Sequence, residues 1–170
     1  MIIRKYDIEK DRRLLEKIVQ LHKKSLEKTI ATTISNDNLE KLYSLLLKNG
    51  LLSLFVAIDE NKVVGCMSIK EKYKLTKFSL IDIFLITIIL LTGFFLHPLI
   101  WVIEITYKLR LYRNFNPDIT IIAIFVDSAY QGQNIGKDLL ASIIKKPVSK
   151  IGVDTRINNT SAINFYKKNG

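Results

Sequence analysis

The stretch that most limits how this chain can fold runs from Ile83 to Ile103: 21 consecutive residues without an Asp, Glu, Lys or Arg. By length and hydropathy alone it is a candidate transmembrane helix. Three features argue against a simple span. Pro98 disfavours an uninterrupted helix. Both flanks are basic, with Lys70, Lys72, Lys74 and Lys77 before and Lys108, Arg110 and Arg113 after, so the positive-inside tendency puts both ends on the cytoplasmic side. The sequences on either side also read as parts of one domain, which a span would separate. A segment broken near Gly93 or His97-Pro98, lying in the membrane interface or dipping in and returning, meets all three conditions. Peripheral membrane contact through 78–107 is therefore expected, for a cytoplasmic protein at the inner face of the membrane. A buried helix pair or an oligomer contact is the competing explanation.

Around this segment the pattern alternates between strand and helix. Ile2 to Tyr6 reads as a short strand. From Asp11 the period becomes helical, with Leu14, Ile18 and Leu21 on one face and Leu15 and Val19 beside them. A second helix is expected from Asp37, where Glu40 stands at capping-box spacing. It runs through Leu42, Leu45 and Leu46 to a stop at Asn49-Gly50. Leu51–Ile58 and Val63–Ile69, joined by the polar Asp59-Glu60-Asn61-Lys62, form a hairpin. Ile119–Val126 is almost wholly β-branched or aromatic, which predicts a strand buried on both faces. A helix bearing Ile135, Leu139, Leu140 and Ile143 follows. A short strand over Lys150–Asp154 comes next, then a helix opened by Asn158 or Asn159 and carrying Ala162, Phe165 and Tyr166. This order predicts one α/β or α+β domain over 1–170, three layers deep. Its central sheet is mixed, mostly antiparallel and flanked by helices, with a hydrophobic helical insertion at about 71–116.

Composition narrows the setting. Of the 170 residues 48% are hydrophobic, enough for a sizeable core. The single cysteine, Cys66, excludes an internal disulfide and fits a reducing compartment. No amino-terminal signal peptide is visible. The formal charge of +10 attracts anions, whether nucleic acid, anionic lipid or phosphorylated small molecules. No nucleic-acid recognition motif accompanies it, so no nucleic-acid partner is expected. No Cys/His cluster has metal-ligand spacing, so no metal is expected. His22 and His97 are isolated and read as structural.

The chemistry concentrates between Ile124 and Lys137. A buried strand ends at Val126, a loop of small and polar residues follows, and a helix begins at Ile135. A helix start presents unpaired N–H groups and the positive end of its dipole, an anion site suited to a pyrophosphate. Gly132 and Gly136 permit close backbone approach, and Lys137 adds a charge. Only three residues separate Gly132 from Gly136 and Asp138 follows Lys137, so this is not a Walker loop. No G-x-G-x-x-G occurs, so it is not a dinucleotide fingerprint either. A tight strand-to-helix turn with no ligand is the alternative. Asp127 reads as a turn residue.

The segment Gln131-Gly132-Gln133-Asn134-Ile135-Gly136 resembles the acetyl-CoA motif of the GNAT acetyltransferases: Gln or Arg, two residues, Gly, one residue, Gly or Ala. Asn134 stands where the family usually has Gly, and Asn tolerates left-handed backbone better than most residues. Asn159-Thr160-Ser161-Ala162-Ile163-Asn164-Phe165-Tyr166-Lys167-Lys168-Asn169-Gly170 is similar to the family's Asn-x-x-Ala-x-x-Phe-Tyr-x-Lys-x-Gly helix. The family continues past this helix with two further strands, so the chain reads as a fragment or as a domain missing part of its acceptor site.

The resemblance implies an N-acetyltransferase that moves an acetyl group from acetyl-CoA to a primary amine by direct attack. It places the cofactor against Val126, Gln131, Gly132, Gln133, Asn134, Ile135, Gly136, Lys137 and Asn159. It makes Tyr166 the acid that protonates the departing thiolate. A packed helix aromatic at Tyr166 and an ordinary N-cap at Asn159 are the structural alternatives. A non-catalytic, membrane-associated acyl-CoA-binding or interaction module is the alternative for the whole.

Overall fold

The computed structural model describes residues 1–26, 29–72, 78–111, 116–144, 150–153, 155 and 159–169, with the backbone alone for 107–111. Five strands form one sheet in the order β1-β2-β3-β4-β5. They are β1 (Ile2–Lys5), β2 (Ser53–Asp59), β3 (Lys62–Glu71), β4 (Ile119–Val126) and β5 (Ile151–Val153). All neighbours are antiparallel except β4 and β5, which are parallel. The sheet is thus mixed and mostly antiparallel, as the strand and helix pattern predicts. The β2–β3 connection is a two-residue turn with Glu60 and Asn61 both left-handed, the backbone that suits the strand twist.

Helices cover both faces. On one side α1 (Arg12–Ser25) and α3 (Asn36–Lys48) bury Leu15, Ile18, Leu39 and Tyr43 against Leu54, Val56, Cys66 and Phe125. On the other, α6 (Ile135–Ile144) buries Ile135, Leu139, Leu140 and Ile143 against Phe55, Ala57, Met67 and Ile121. The alternation of Leu54 and Val56 with Phe55 and Ala57 is the two-residue period of a strand buried on both faces. The Cys66 thiol lies wholly in the first core, and burial pushes its pKa up.

Three expectations need correction. α3 starts at Asn36, and its N-cap is Ser35, whose Oγ accepts from the Asn38 N–H (3.2 Å). Asp37 lies inside the first turn, where it favours the helix dipole. The deeply buried residues of α3 are Leu39 and Tyr43, while Leu42, Leu45 and Leu46 are half-buried at the margin of the core. β4 is not buried along its whole length, since Ile122 is 48% exposed. The pairing steps from Ser68–Ala123 to Ile69–Ile121 and leaves Ile122 over, so a bulge turns it away from the core. The strand expected over Lys150–Asp154 is ordered as β5 only from Ile151 to Val153, and Asp154 lies outside the described residues.

The apolar segment is two helices, α4 (Leu80–Leu96) and α5 (Pro98–Leu111), bent by 114° at His97. Among the described residues no single helix is long and apolar enough to cross a membrane. Of the two break points read from the sequence, His97-Pro98 is the real one, and Gly93 lies inside α4. A one-turn helix, α2 (Ile30–Thr33), bridges α1 and α3 and receives the insertion.

Candidate functional site

β4 and β5 pair only over Ile119–Ile121 with Ile151–Val153. β4 continues to Val126, paired on its other edge with β3 as far as Gly65. Past Ile121, no described strand pairs with the β5-facing edge of β4. Into that gap opens a cleft of about 870 Å³. It is lined by Ile124, Phe125 and Val126 of β4, the start of α6, α7 (Thr160–Asn169) and Ser25 from the last turn of α1.

The turn that carries the chain from β4 to α6 is held by charge. The Asp127 N–H donates to the Val64 carbonyl (2.8 Å), which prolongs the β3 pairing by one residue. Its carboxylate accepts from the Ala129 N–H (3.2 Å) and meets Lys62 at 3.0 Å and Lys24 at 3.6 Å. The Lys62 hydrogen bond first, and the Ala129 N–H second, hold the carboxyl below its ordinary range. Lys62 also lies over the Tyr130 ring at 5.2 Å. Asp127 is therefore the turn residue expected of it, a fixed anion with its lone pairs committed.

Beyond this turn Gly132 takes φ +81° and Asn134 φ +62°. The first is glycine's own territory, and Asn is the side chain that best tolerates the second. The Asn134 carbonyl accepts from the Asp138 N–H (3.0 Å), which starts α6 and leaves the first N–H groups of the helix without intrahelical partners. Gly136 serves a close contact between helices: a Cβ there would meet the Phe165 ring at 3.3 Å. Gly132 has nothing within 4 Å of its Cβ position, so its side of the loop is open to a ligand.

Val126, Gln131, Gly132, Asn134, Ile135, Gly136, Lys137, Asn159 and Tyr166 all line the cleft. Gln133, exposed like its neighbours in the loop, is not among the residues lining it. The Asn159 Oδ1 accepts from the Ala162 N–H (3.0 Å), so its side chain caps α7 while the residue lines the cleft. Tyr166 stands edge-to-face with Phe165 (centroids 5.1 Å apart) and reaches the cleft from a partly buried position. Burial pushes its pKa up to about 12, so the phenol keeps its proton throughout the neutral range. Ser25 and Lys168 complete the lining. Lys168 belongs to the recognised helix pattern, whereas Ser25 comes from a helix more than a hundred residues upstream with no local signal.

Among the described lining residues there is no Asp, Glu or His. His22 is buried on the α1 side, sharing a 2.6 Å hydrogen bond with the Tyr43 hydroxyl and tilted against Phe125. Burial pushes its pKa down to about 4. His97 is exposed at the α4–α5 elbow. No three His, Cys, Asp or Glu side chains among the described residues converge on a metal position.

The sequence profile of the Acetyltransferase (GNAT) family matches residues 15–170. Among solved structures the chain is similar to aminoglycoside N-acetyltransferase AAC(6')-Iy in complex with CoA, at 14% identity and TM-score 0.63, covering 99% of this chain and 86% of that one. It is also similar to a transcriptional regulator from Bacillus halodurans C-125 (16% identity, TM-score 0.60, coverage 99% and 91%). A third is the ribosomal-protein-alanine N-acetyltransferase from Brucella melitensis biovar Abortus 2308 (12% identity, TM-score 0.55, coverage 98% and 88%). No protein of curated function matches the chain by sequence. These structures share its fold, and the profile match over most of its length shows that the chain belongs to the GNAT acetyltransferase family and is an acyltransferase.

Proposed function

We propose that the cleft binds acetyl-CoA and that the protein transfers its acetyl group to a primary amine by direct attack in a ternary complex. The observation that carries this reading is the juxtaposition of a β4 edge with no strand partner past Ile121 among the described residues, an open helix start at Gly132–Lys137 and a protonated Tyr166 in one cleft. The positive end of α6 and Lys137 suit the pyrophosphate. The β4 edge past Ile121, which no described strand covers, suits the amide-bearing arm, which can add to it as an extra strand would.

In the reaction the amine nitrogen attacks the thioester carbonyl, the C–N bond forms and the C–S bond breaks. The thiolate takes the Tyr166 proton, and the ammonium gives its own to water or to a base. A phenol with its pKa raised to about 12 stays protonated well above neutral. The rate is therefore expected to rise with pH from 6 to 9 as the amine deprotonates, with no alkaline fall from Tyr166. Crystals of the AAC(6')-Iy neighbour with a CoA bisubstrate analogue support the same use of the same fold.

Calorimetry with acetyl-CoA tests the reading. Wild type is expected to bind on the order of micromolar. Gly136→Trp, which fills the turn against Phe165, and Gly132→Val, which strains the φ +81° backbone without a clash, both weaken binding at least about tenfold. Tyr166→Phe keeps binding and lowers kcat by about a hundredfold. If wild type fails to bind, the alternative stands: a non-catalytic module whose membrane-facing insertion is its main working part.

A further inference from the structure

α4 and α5 are not packed as core helices. Only Ile89 and Gly93 of α4 are buried. Leu80, Ile81, Phe84 and Phe95, with Leu99 past the elbow, are each at least 63% exposed. The helix is apolar on every side while its buried contact is one stripe. Soluble monomers rarely leave so continuous an apolar surface in water. The pair bends by 114° at His97, the geometry of a segment that enters a surface and returns. The chain is basic immediately before and after it, at Lys70 and Lys72 and at Lys108 and Arg110. That charge complements an anionic lipid headgroup layer.

The buried stripe leads to the cleft. Ile89 joins the α1–α3 core. The missing side chain of Gly93 lets α4 lie directly on α2, since a Cβ there would sit 2.6 Å from the Ile34 methyl and 2.8 Å from the Thr33 hydroxyl. Trp101 folds back across the elbow, buried, and its Nε1–H donates to the same Thr33 Oγ1 (3.1 Å). The Ile34 carbonyl accepts from Lys23 Nζ (2.6 Å), and Ser25, two residues on, lines the cleft. Direct contacts therefore run from the elbow through Thr33 and Ile34 to Lys23 in the last turn of α1, two residues before Ser25 of the cleft lining.

We infer that the α4–α5 elbow seats in the surface of an anionic bilayer and, latched to α2 by Gly93 and Trp101, presents the Ser25 side of the cleft to the lipid. The acceptor is then a primary amine carried on a membrane-embedded amphiphile. The acceptor half of this inference rests on the acyl-transfer reading of the cleft, whereas the bilayer half does not.

Flotation with vesicles of phosphatidylcholine containing about one third phosphatidylglycerol tests the seat. Wild type is expected to float, more completely than with phosphatidylcholine alone. Phe84→Glu/Phe95→Glu/Leu99→Glu, which changes only exposed positions, is expected to stay behind and to bind acetyl-CoA within about twofold of wild type. Turnover of dodecylamine held in the vesicles against ethanolamine in water tests the acceptor. Wild type should favour dodecylamine by at least about tenfold in kcat/KM. Gly93→Leu, and the gentler Trp101→Phe that drops only the bond to Thr33, should float yet lose that preference. Wild type that binds acetyl-CoA but never floats, or that elutes as a dimer which the triple variant breaks, overturns the bilayer seat. Floating protein with equal turnover of both amines overturns the acceptor assignment. Floating protein that does not bind acetyl-CoA overturns the acyl-transfer reading and leaves the seat standing.

Discussion

The sheet with its flanking α1, α3 and α6 and the α4–α5 elbow are both rich in Leu, Ile and Phe, yet they use those residues in opposite ways. In α6 the four buried positions Ile135, Leu139, Leu140 and Ile143 recur on one face, and Lys137 and Asp138 mark the other. In α4 apolar residues surround the helix, and the fold buries only Ile89 and Gly93. The difference shows that hydrophobic content says how much a segment avoids water, while its periodicity says whether this chain supplies the cover. A one-sided stripe has its partner inside the fold, and an all-round one looks elsewhere.

The widest break in that comparison comes from matched truncations. Leu139→Ala, at a site with no exposure, should cost about 3 kcal/mol in urea unfolding. Leu99→Ser at the elbow should change stability by less than about 0.5 kcal/mol. Inside the elbow the contrast sharpens between adjacent residues. Ile89→Ala should cost about 2–3 kcal/mol because Ile89 is only 6% exposed, whereas Ile88→Ala, at 44% exposed, should be close to neutral. A third test uses the one imidazole of the sheet side that is sealed in. His22 has its pKa pushed down from 6.5 to about 4 by burial, so the unfolded chain binds the extra proton first. The stability this contributes is full above about pH 6.5 and is lost as pH falls towards 4, by about 2 kcal/mol at pH 5. His22→Gln, which can still bond Tyr43, should flatten that dependence in denaturation curves taken at pH 7 and pH 5.

Where the sequence was legible, local chemistry and the fold agreed. The β4 boundaries, the four core positions of α6, the hairpin and the His97-Pro98 break follow from periodicity, β-branching and a proline. Where it was not, something distant decided. Ser35 takes the α3 cap ahead of the Asp37 and Glu40 spacing because its backbone leaves the short α2 extended, at φ −61° and ψ 161°. The exposed Ile122 depends on the register of β3, which β4 alone does not encode. In the cleft, the Gln131-to-Gly136 pattern marked the loop but could not tell that Ser25 of α1 lines it too. Nor could the Asn159 pattern tell that its oxygen is spent on the Ala162 N–H. The meeting of Gly93 with Ile34 and of Trp101 with Thr33 joins residues about sixty apart and has no signature in either segment.

The sealed position of Cys66 has a practical consequence. It is the only cysteine in the chain, it is fully buried, and its thiol is held in the unreactive protonated form. A colorimetric disulfide reagent added to the native protein should therefore register only sulfhydryls released by the proposed acetyl transfer. Turnover can be followed continuously without mutating the protein or subtracting a background. On denaturation the same reagent should gain one equivalent per chain, so a single chromophore reports both reaction progress and the integrity of the fold.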